Sequence, residues 1–184
     1  MIQSDLLSRL HLSDFIALDF ETTGLLHHQD AIIEIAGIRF QNGIITNRWT
    51  TLVNPGIKIP NEIVNLTGID NSMLKEAPTI EKALPEFIDL LGELPLVGQN
   101  VQFDLDFLQF NADQLNLPLN IGPVYDTLSL ARMFLFSHHS FSLESLCGYF
   151  ELSADSSHRA GADAENTGKI FLELLHEAAS HPLS

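Results

Sequence analysis

An Asn-Gly dipeptide fixes how the first part of this chain can fold. Residues 31–40 and 44–53 are rich in β-branched and aromatic side chains, and Asn42-Gly43 lies between them. Asn-Gly between two apolar runs is typical of a two-residue turn, which makes its flanking strands antiparallel neighbours. Residues 15–20 form an earlier run that is apolar on both sides, as in a central strand. The start of the chain therefore predicts a three-stranded antiparallel meander.

After the meander, the apolar residues recur with the period of a helix, and short apolar runs separate these stretches. The elements expected are helices at 79–91, 103–115, from about Thr127, at 142–149 and at 162–178, and strands at 94–99 and 124–125. A meander followed by strands that helices connect predicts an α/β fold in which helices pack on a mixed sheet. Residues 1–13 and 179–184 are expected to be frayed ends.

Length and composition indicate one globular domain. The chain has 184 residues, of which 45% are apolar and 18% charged. The single cysteine, Cys147, excludes an intrachain disulfide and a cysteine-based zinc cluster. The longest stretch without Asp, Glu, Lys or Arg is residues 114–125, which is shorter than the roughly 20 residues of a membrane span. With no signal-peptide pattern at the N-terminus either, we expect no membrane association and a cytoplasmic location.

The net charge of −15 restricts how the chain could meet nucleic acid. An acidic protein repels phosphate backbones, so an extended basic binding face is excluded. A small acidic pocket that holds divalent metals is still compatible with this charge, because the metals supply the positive charge that meets the phosphate.

Two carboxylates stand at the end of the first apolar run. Asp19 and Glu21 are two residues apart, so on a strand they project to the same face. Adjacent carboxylates repel each other unless a cation lies between them, and Mg²⁺ is a hard cation that prefers oxygen ligands. Taken alone, the pair could equally be surface charge at a strand end.

Two later segments offer further acidic groups at element boundaries. Asp104 opens a helix just after a strand, where a negative charge is favourable in any case. Asp163 begins the apolar stripe of the last helix, so it should face the sheet and needs a partner or a metal. His158 lies five residues earlier in a loop, where a histidine is commonly solvated. Together, the three segments indicate a metal site with a candidate base beside it.

Three motifs in the right order resemble those of a known family. Asp-Phe-Glu-Thr-Thr-Gly at 19–24, Asn-x-x-Phe-Asp at 100–104 and His-x4-Asp at 158–163 are similar to the exonuclease motifs of the DnaQ-like 3′–5′ exonucleases, DEDDh subgroup. This family includes the proofreading epsilon subunit and exonuclease domains of DNA polymerase III. The resemblance covers about residues 13–178 and extends to Ile33-Glu34-Ile35-Ala36.

The resemblance implies an RNase H-like fold, with the strand of Asp19 and Glu21 at the centre of a five-stranded mixed sheet. It implies that Asp19, Glu21, Asp104 and Asp163 hold two Mg²⁺ or Mn²⁺ ions, and that His158 is the general base that deprotonates the attacking water. A neutral imidazole suits that role near pH 7. The His-x4-Asp spacing selects this subgroup over the tyrosine variant.

The resemblance also implies contacts to the terminal nucleotide of the substrate, with apolar side chains as walls for stacked bases. The residues concerned are Thr22, Thr23, Gly24, Leu66, Thr67, Asn100 and Phe103. Gln99 and Thr67 stand where many relatives have histidine. Because both positions lie outside the carboxylates, they affect substrate preference rather than the chemistry.

The sequence therefore predicts a metal-dependent 3′–5′ exonuclease that releases nucleoside monophosphates from single-stranded or frayed DNA ends. One alternative is the same chemistry on RNA 3′ ends, as in RNase T or oligoribonuclease. Another is an exonuclease-fold module that mainly binds a polymerase or helicase, although a binding role would not need all five catalytic residues. A phosphatase fits less well, because no lysine is placed to pair with phosphate. The chain could stand alone or be one domain of a larger protein.

Overall fold

The computed structural model describes residues 2–135, 138–153 and 158–180 and contains a five-stranded sheet covered by helices on both faces. The strands are β1 (Asp14–Thr22), β2 (Ile32–Gln41), β3 (Ile44–Leu52), β4 (Leu96–Gly98) and β5 (Val124–Asp126). The helices are α1 (Ile2–Arg9), α2 (Asn61–Thr67), α3 (Asn71–Leu74), α4 (Ile80–Leu91), α5 (Gln102–Gln114), α6 (Thr127–Phe134), α7 (Leu143–Tyr149) and α8 (Ala160–Ser180).

The sheet has the order β3-β2-β1-β4-β5, with β1 in the centre. β1 runs antiparallel to β2 and parallel to β4, so the sheet is mixed. Gln41 pairs with Ile44 across the turn, and both Asn42 and Gly43 have the positive φ that a tight hairpin turn requires. The predicted meander and the predicted mixed sheet are both confirmed.

The two faces of β1 pack against different helices. Ile16 and Leu18 belong to a core cluster with residues of α4 and α5, whereas Phe15 and Ala17 belong to a cluster with Phe171 of α8. Side chains alternate along a strand, so the next two residues of β1 on the α8 face after Phe15 and Ala17 are Asp19 and Glu21. The register of β1 therefore directs both carboxylates towards α8.

The expected frayed start of the chain is wrong. Residues 2–9 form α1, and Leu7 and Leu12 are buried in the cluster that covers the α8 face of the sheet. The helix is ordered because Leu7 docks in this cluster and Leu12, just after the helix, docks there too, and an eight-residue stretch has no signal for such a tertiary contact. At the other end, α8 extends through Ser180, and the expected frayed residues 181–184 lie outside the described residues.

The expected element order also lacked α2 and α3. These helices have seven and four residues, which is too short to show a helical period. Their ends are set by local chemistry: Gly68 ends α2 with a φ of 70°, and the Asp70 side chain accepts hydrogen bonds from two backbone N–H groups of α3. Over the described ranges, no helix combines the length and the apolar character that crossing a bilayer requires.

The close packing of α8 against the sheet at Gly168 yields a stability prediction. A Cβ at Gly168 would overlap the ring of buried Phe40 and approach the Ala17 Cβ to 3.1 Å. Gly168→Ala should therefore lower the free energy of unfolding by about 1–3 kcal/mol through overpacking. Gly148→Ala is the matched control, because α7 leaves open space there, and it should raise the free energy of unfolding by up to about 1 kcal/mol. Urea denaturation measures both, and a Gly168→Ala protein as stable as the parent contradicts the packing.

Candidate active site

A cavity of about 310 Å³ opens at the carboxyl ends of β1 and β4. Its walls come from those two strand ends, the start of α5, part of α7 and the first turns of α8. All five predicted catalytic residues line it: Asp19, Glu21, Asp104, His158 and Asp163. Three segments that are far apart in sequence thus meet at one end of the sheet.

Three of the carboxylates form a compact group. Asp19 and Glu21 project from β1, and Asp163 projects from the first turn of α8, which crosses that face of the sheet. One oxygen from each lies within 4.8 Å of the others. This grouping follows from the strand alternation that directs both β1 carboxylates towards α8.

Asp104 approaches from the opposite side of β1. It is 3% exposed at the start of α5, and its Oδ1 accepts a hydrogen bond of 2.9 Å from the backbone N–H of Phe20. Phe20 lies between Asp19 and Glu21, so this bond fixes the fourth carboxylate relative to the other two. No spacing rule in the sequence indicates this contact.

Burial raises the pKa of every carboxyl in the group, and the negative charge of neighbouring carboxylates adds to this effect. Desolvation raises the pKa of Asp19 well above its usual range, and the charges of Asp104 and Glu21 add to it. Desolvation, followed by the charges of Asp163 and Glu34, raises the pKa of Glu21 to about 7. Desolvation raises the pKa of Asp104 to about 8, although the Phe20 N–H bond opposes this. Desolvation also raises the pKa of Asp163, and the hydrogen bond from the backbone N–H of His158 opposes this rise.

These carboxylates suit a divalent metal. Within the described ranges, none of the four forms an ion pair with a lysine or arginine side chain. Carboxylate oxygens are the ligands that hard divalent cations prefer, and a bound cation relieves the repulsion that raises these pKa values. The donors and their electrostatics therefore fit a hard divalent cation.

His158 borders this group from the loop before α8. Its side chain is exposed, and its backbone N–H donates a hydrogen bond of 2.9 Å to Asp163 Oδ2. The backbone of His158 has a φ of 65°, which is uncommon for a residue other than glycine. The histidine and the carboxylate of the His-x4-Asp motif are therefore linked directly.

The predicted nucleotide contacts divide into two sets. Asn100 and Phe103 line the cavity, and the backbone N–H of Asn100 is held by the Asp126 carboxylate at 2.8 Å. The other five positions lie outside the lining: Thr22, Thr23, Gly24, Leu66 and Thr67.

Hydrogen bonds within the protein occupy the hydroxyls of that second set. Thr22 donates to the Gly24 carbonyl, and Thr67 donates to the Ile63 carbonyl. The Thr23 hydroxyl accepts a bond from the backbone N–H of Ala31. Their contacts to a nucleotide stay predictions.

The structure adds a role for Gln99 that the sequence did not reveal. Its Nε2 donates to the Phe141 carbonyl at 2.7 Å, and its Oε1 accepts from the buried hydroxyl of Thr127. Phe141 lies two residues before the start of α7, whose residues Glu144 and Cys147 form part of the cavity wall. Gln99 therefore joins the end of β4 to that wall. The sequence signal was a departure from the family at this position, which could not show what the side chain contacts.

The exonuclease family, RNase_T, matches residues 16–171. This chain belongs to the exonuclease family. It is 37% identical to DNA polymerase III subunit epsilon of Aquifex aeolicus, over 89% of this chain and 81% of that protein. Membership of this family confirms the predicted resemblance to DnaQ-like 3′–5′ exonucleases and the predicted class of enzyme.

Two further comparisons extend the family assignment. The chain is 39% identical, over 89% of its length, to the PolC-type DNA polymerase III of Caldanaerobacter subterraneus subsp. tengcongensis, but it spans only 12% of that protein. A solved structure of Exonuclease X in complex with 5′ overhanging duplex DNA has a TM-score of 0.69 and 26% identity, covering 90% of this chain and 92% of that one. The similarity confirms the predicted RNase H-like fold.

The raised pKa values predict how the stability of the metal-free protein varies with pH. Glu21 and Asp104 have folded-state pKa values of about 7 and about 8, so the folded protein binds more protons than the unfolded chain between about pH 5 and 8. The free energy of unfolding in EDTA should therefore fall as the pH rises through this window.

A variant that carries Glu21→Gln and Asp104→Asn should show a weaker decline than the parent. All other titratable groups are common to both proteins, so their contributions cancel in the comparison. Urea denaturation at several pH values measures the two slopes. Equal slopes, or a parent that is more stable at pH 8 than at pH 5, would contradict the electrostatics of the site.

Proposed function

We propose that this chain is a metal-dependent 3′–5′ exonuclease that releases nucleoside monophosphates from single-stranded or frayed DNA ends. The observation that carries the proposal is the convergence of four carboxylates and one histidine on a single cavity. The volume of about 310 Å³ lies at the lower end of the range for small-ligand pockets, about 300–1,000 Å³, so it suits one terminal nucleotide.

The metal ligands in this proposal are Asp19, Glu21, Asp104 and Asp163, which would hold two Mg²⁺ or Mn²⁺ ions. When bound, such ions lower the pKa of water and stabilise charge on the leaving oxygen. The protein places the four carboxylates on three separate elements, so the group can close around cations only in the folded chain.

His158 acts as the general base. Its exposed imidazole borders the cavity and, in the neutral form, accepts the proton of the attacking water. The hydrogen bond from its backbone to Asp163 keeps the base next to the metal ligands. Phe103 supplies an apolar surface in the same cavity for the terminal base, and stacking of this kind tolerates any sequence.

DNA is the preferred substrate because the relatives point to it. Two of them are named for DNA polymerase III, and the Exonuclease X structure contains a DNA duplex with a 5′ overhang. A larger polymerase or a helicase is the proposed host or partner, since the chain spans 12% of the PolC-type relatives. We propose the cytoplasm as the compartment, where bacterial DNA ends and polymerases are found.

Activity should depend completely on a divalent metal and on a free 3′ end. With 5′-labelled single-stranded DNA, Mn²⁺ should produce a ladder that shortens from the 3′ end, and EDTA should abolish it because the carboxylates repel one another without cations. A circular single strand is the matched control and should survive. Activity in EDTA, cleavage of the circle or loss from the 5′ end would contradict the proposal, and faster digestion of a matched RNA would favour the exoribonuclease alternative.

His158→Ala should separate catalysis from metal binding. General-base assistance is typically worth about 10²–10⁴-fold, so the turnover rate should fall by that factor. Mn²⁺ affinity, measured by calorimetry, should stay near that of the parent, because the imidazole is exposed and is not one of the proposed ligands. Asp163→Asn should lose both activity and metal affinity. A His158→Ala protein within a few-fold of the parent rate would remove the histidine from the mechanism.

A further inference from the structure

A buried carboxylate next to the site has no part in the mechanism described so far. Glu34, in β2, is 1% exposed, and its two oxygens accept three hydrogen bonds. Arg159 donates through Nη2 at 2.7 Å and through Nε at 3.1 Å, and the backbone N–H of Ala160 donates at 2.9 Å. All three donors come from two consecutive residues, which are separated from Glu34 by more than 120 positions in the chain.

Those two residues are the link between the base and the first turn of α8. Arg159 directly follows His158, and Ala160 begins the helix that carries Asp163. The φ of 65° at His158 is a conformation that a non-glycine residue adopts only when its surroundings hold it there. Glu34 therefore holds the two residues that directly follow His158, and so restrains the backbone conformation of His158.

Stability alone is a poor explanation for this ion pair. Burying the Glu34 carboxylate carries a desolvation penalty, which an ion pair with the partly exposed Arg159 offsets only in part. An ion pair of similar geometry, Asp14 with Arg39, lies at the other end of β1, seven residues before Glu21. The Asp14 carboxylate is 30% exposed, against 2% for Glu34, and among the described residues neither Asp14 nor Arg39 lines the cavity. The pair of Glu34 and Arg159 differs by its buried carboxylate and by also holding a backbone N–H beside the base.

We propose that Glu34 is a positioning residue of the exonuclease reaction, which holds His158 in place through Arg159 and the Ala160 N–H. The inference rests on the proposed function, because it assigns Glu34 a task only if His158 is the base. Asp19 and Glu21 are held by β1 and Asp104 by the Phe20 N–H, so these three proposed ligands do not depend on Glu34, and saturating Mn²⁺ offsets a loss of affinity at Asp163.

Glu34→Asp tests the proposal with the charge retained. Aspartate is one methylene shorter, so it cannot reach both Arg159 and the Ala160 N–H from the same strand position. In saturating Mn²⁺ the turnover rate should fall by about 10–100-fold, the usual loss when a residue that orients a site is changed. At that Mn²⁺ concentration, the KM for a single-stranded oligonucleotide should change by less than about threefold.

A double-mutant cycle distinguishes positioning from general damage. If Glu34 acts through His158, Glu34→Asp should cause no further loss in a His158→Ala background. The Asp14→Asn variant is the matched control. It breaks the ion pair between Asp14 of β1 and Arg39 of β2, at the end of these strands away from the site, and it should keep the parent turnover rate. Additive losses in the cycle, or an unchanged rate in Glu34→Asp, would overturn the proposal.

Amide hydrogen exchange provides a readout that needs neither metal nor substrate. In the metal-free protein, exchange at residues 158–160 should accelerate in Glu34→Asp and stay at the parent rate in Asp14→Asn. Unchanged exchange at these amides would overturn the proposal. If His158→Ala keeps full activity, the assignment of His158 as the base in the proposed function fails, whereas the exchange result still reports whether Glu34 holds this backbone.

A second variant guards against a folding failure of Glu34→Asp. Arg159→Lys keeps the positive charge on a partly exposed side chain but removes the paired N–H donors. It should reproduce the fall in turnover, the absence of further loss in the His158→Ala background and the faster exchange. A variant with the parent rate and parent exchange would contradict the proposal.

Discussion

Repulsion among the carboxylates at the end of β1 is the constraint on which the site depends. Asp19, Glu21 and Asp163 each place an oxygen within 4.8 Å of the others, and Asp104 adds its charge from α5. Such a group is unfavourable in isolation, as the raised pKa values of its members show. The remainder of the fold supplies the rigid support that holds it together.

That support comes from the most buried part of the chain. β1 is the central strand of the sheet, and its apolar residues pack against helices on both faces. The backbone of Phe20 holds Asp104, and Glu34 in the neighbouring strand holds the start of α8. The negative charge of the four carboxylates destabilises the site without metal. The same charge would attract cations, and bound cations would meet the phosphate of a polyanionic substrate although the chain has a net charge of −15.

Local patterns predicted the features that local chemistry determines. Asn42-Gly43 predicted the hairpin because that turn needs two residues with positive φ, and the spacing of Asp19 and Glu21 predicted a shared face because strand side chains alternate. Asp104, His158 and Asp163 stood out by their positions at element boundaries, and the resemblance to DnaQ-like exonucleases assigned their individual roles.

The contacts that sequence reasoning missed are all long-range. Glu34 and Arg159 are far apart in the chain, and nothing near either residue indicates their pairing. Gln99 stood out only as a departure from the family, whereas its bond to the Phe141 carbonyl depends on how α7 packs. α1 is ordered because Leu7 docks on the sheet, a contact that a short terminal segment cannot reveal.

The central claim is that the four carboxylates exist together in order to bind divalent metal. Anomalous X-ray scattering from crystals of the protein grown with Mn²⁺ tests it most directly. The account predicts two manganese peaks in the cavity, bound by oxygens of Asp19, Glu21, Asp104 and Asp163. Crystals with no peak in the cavity at saturating Mn²⁺, or with manganese bound only elsewhere on the protein, would contradict it.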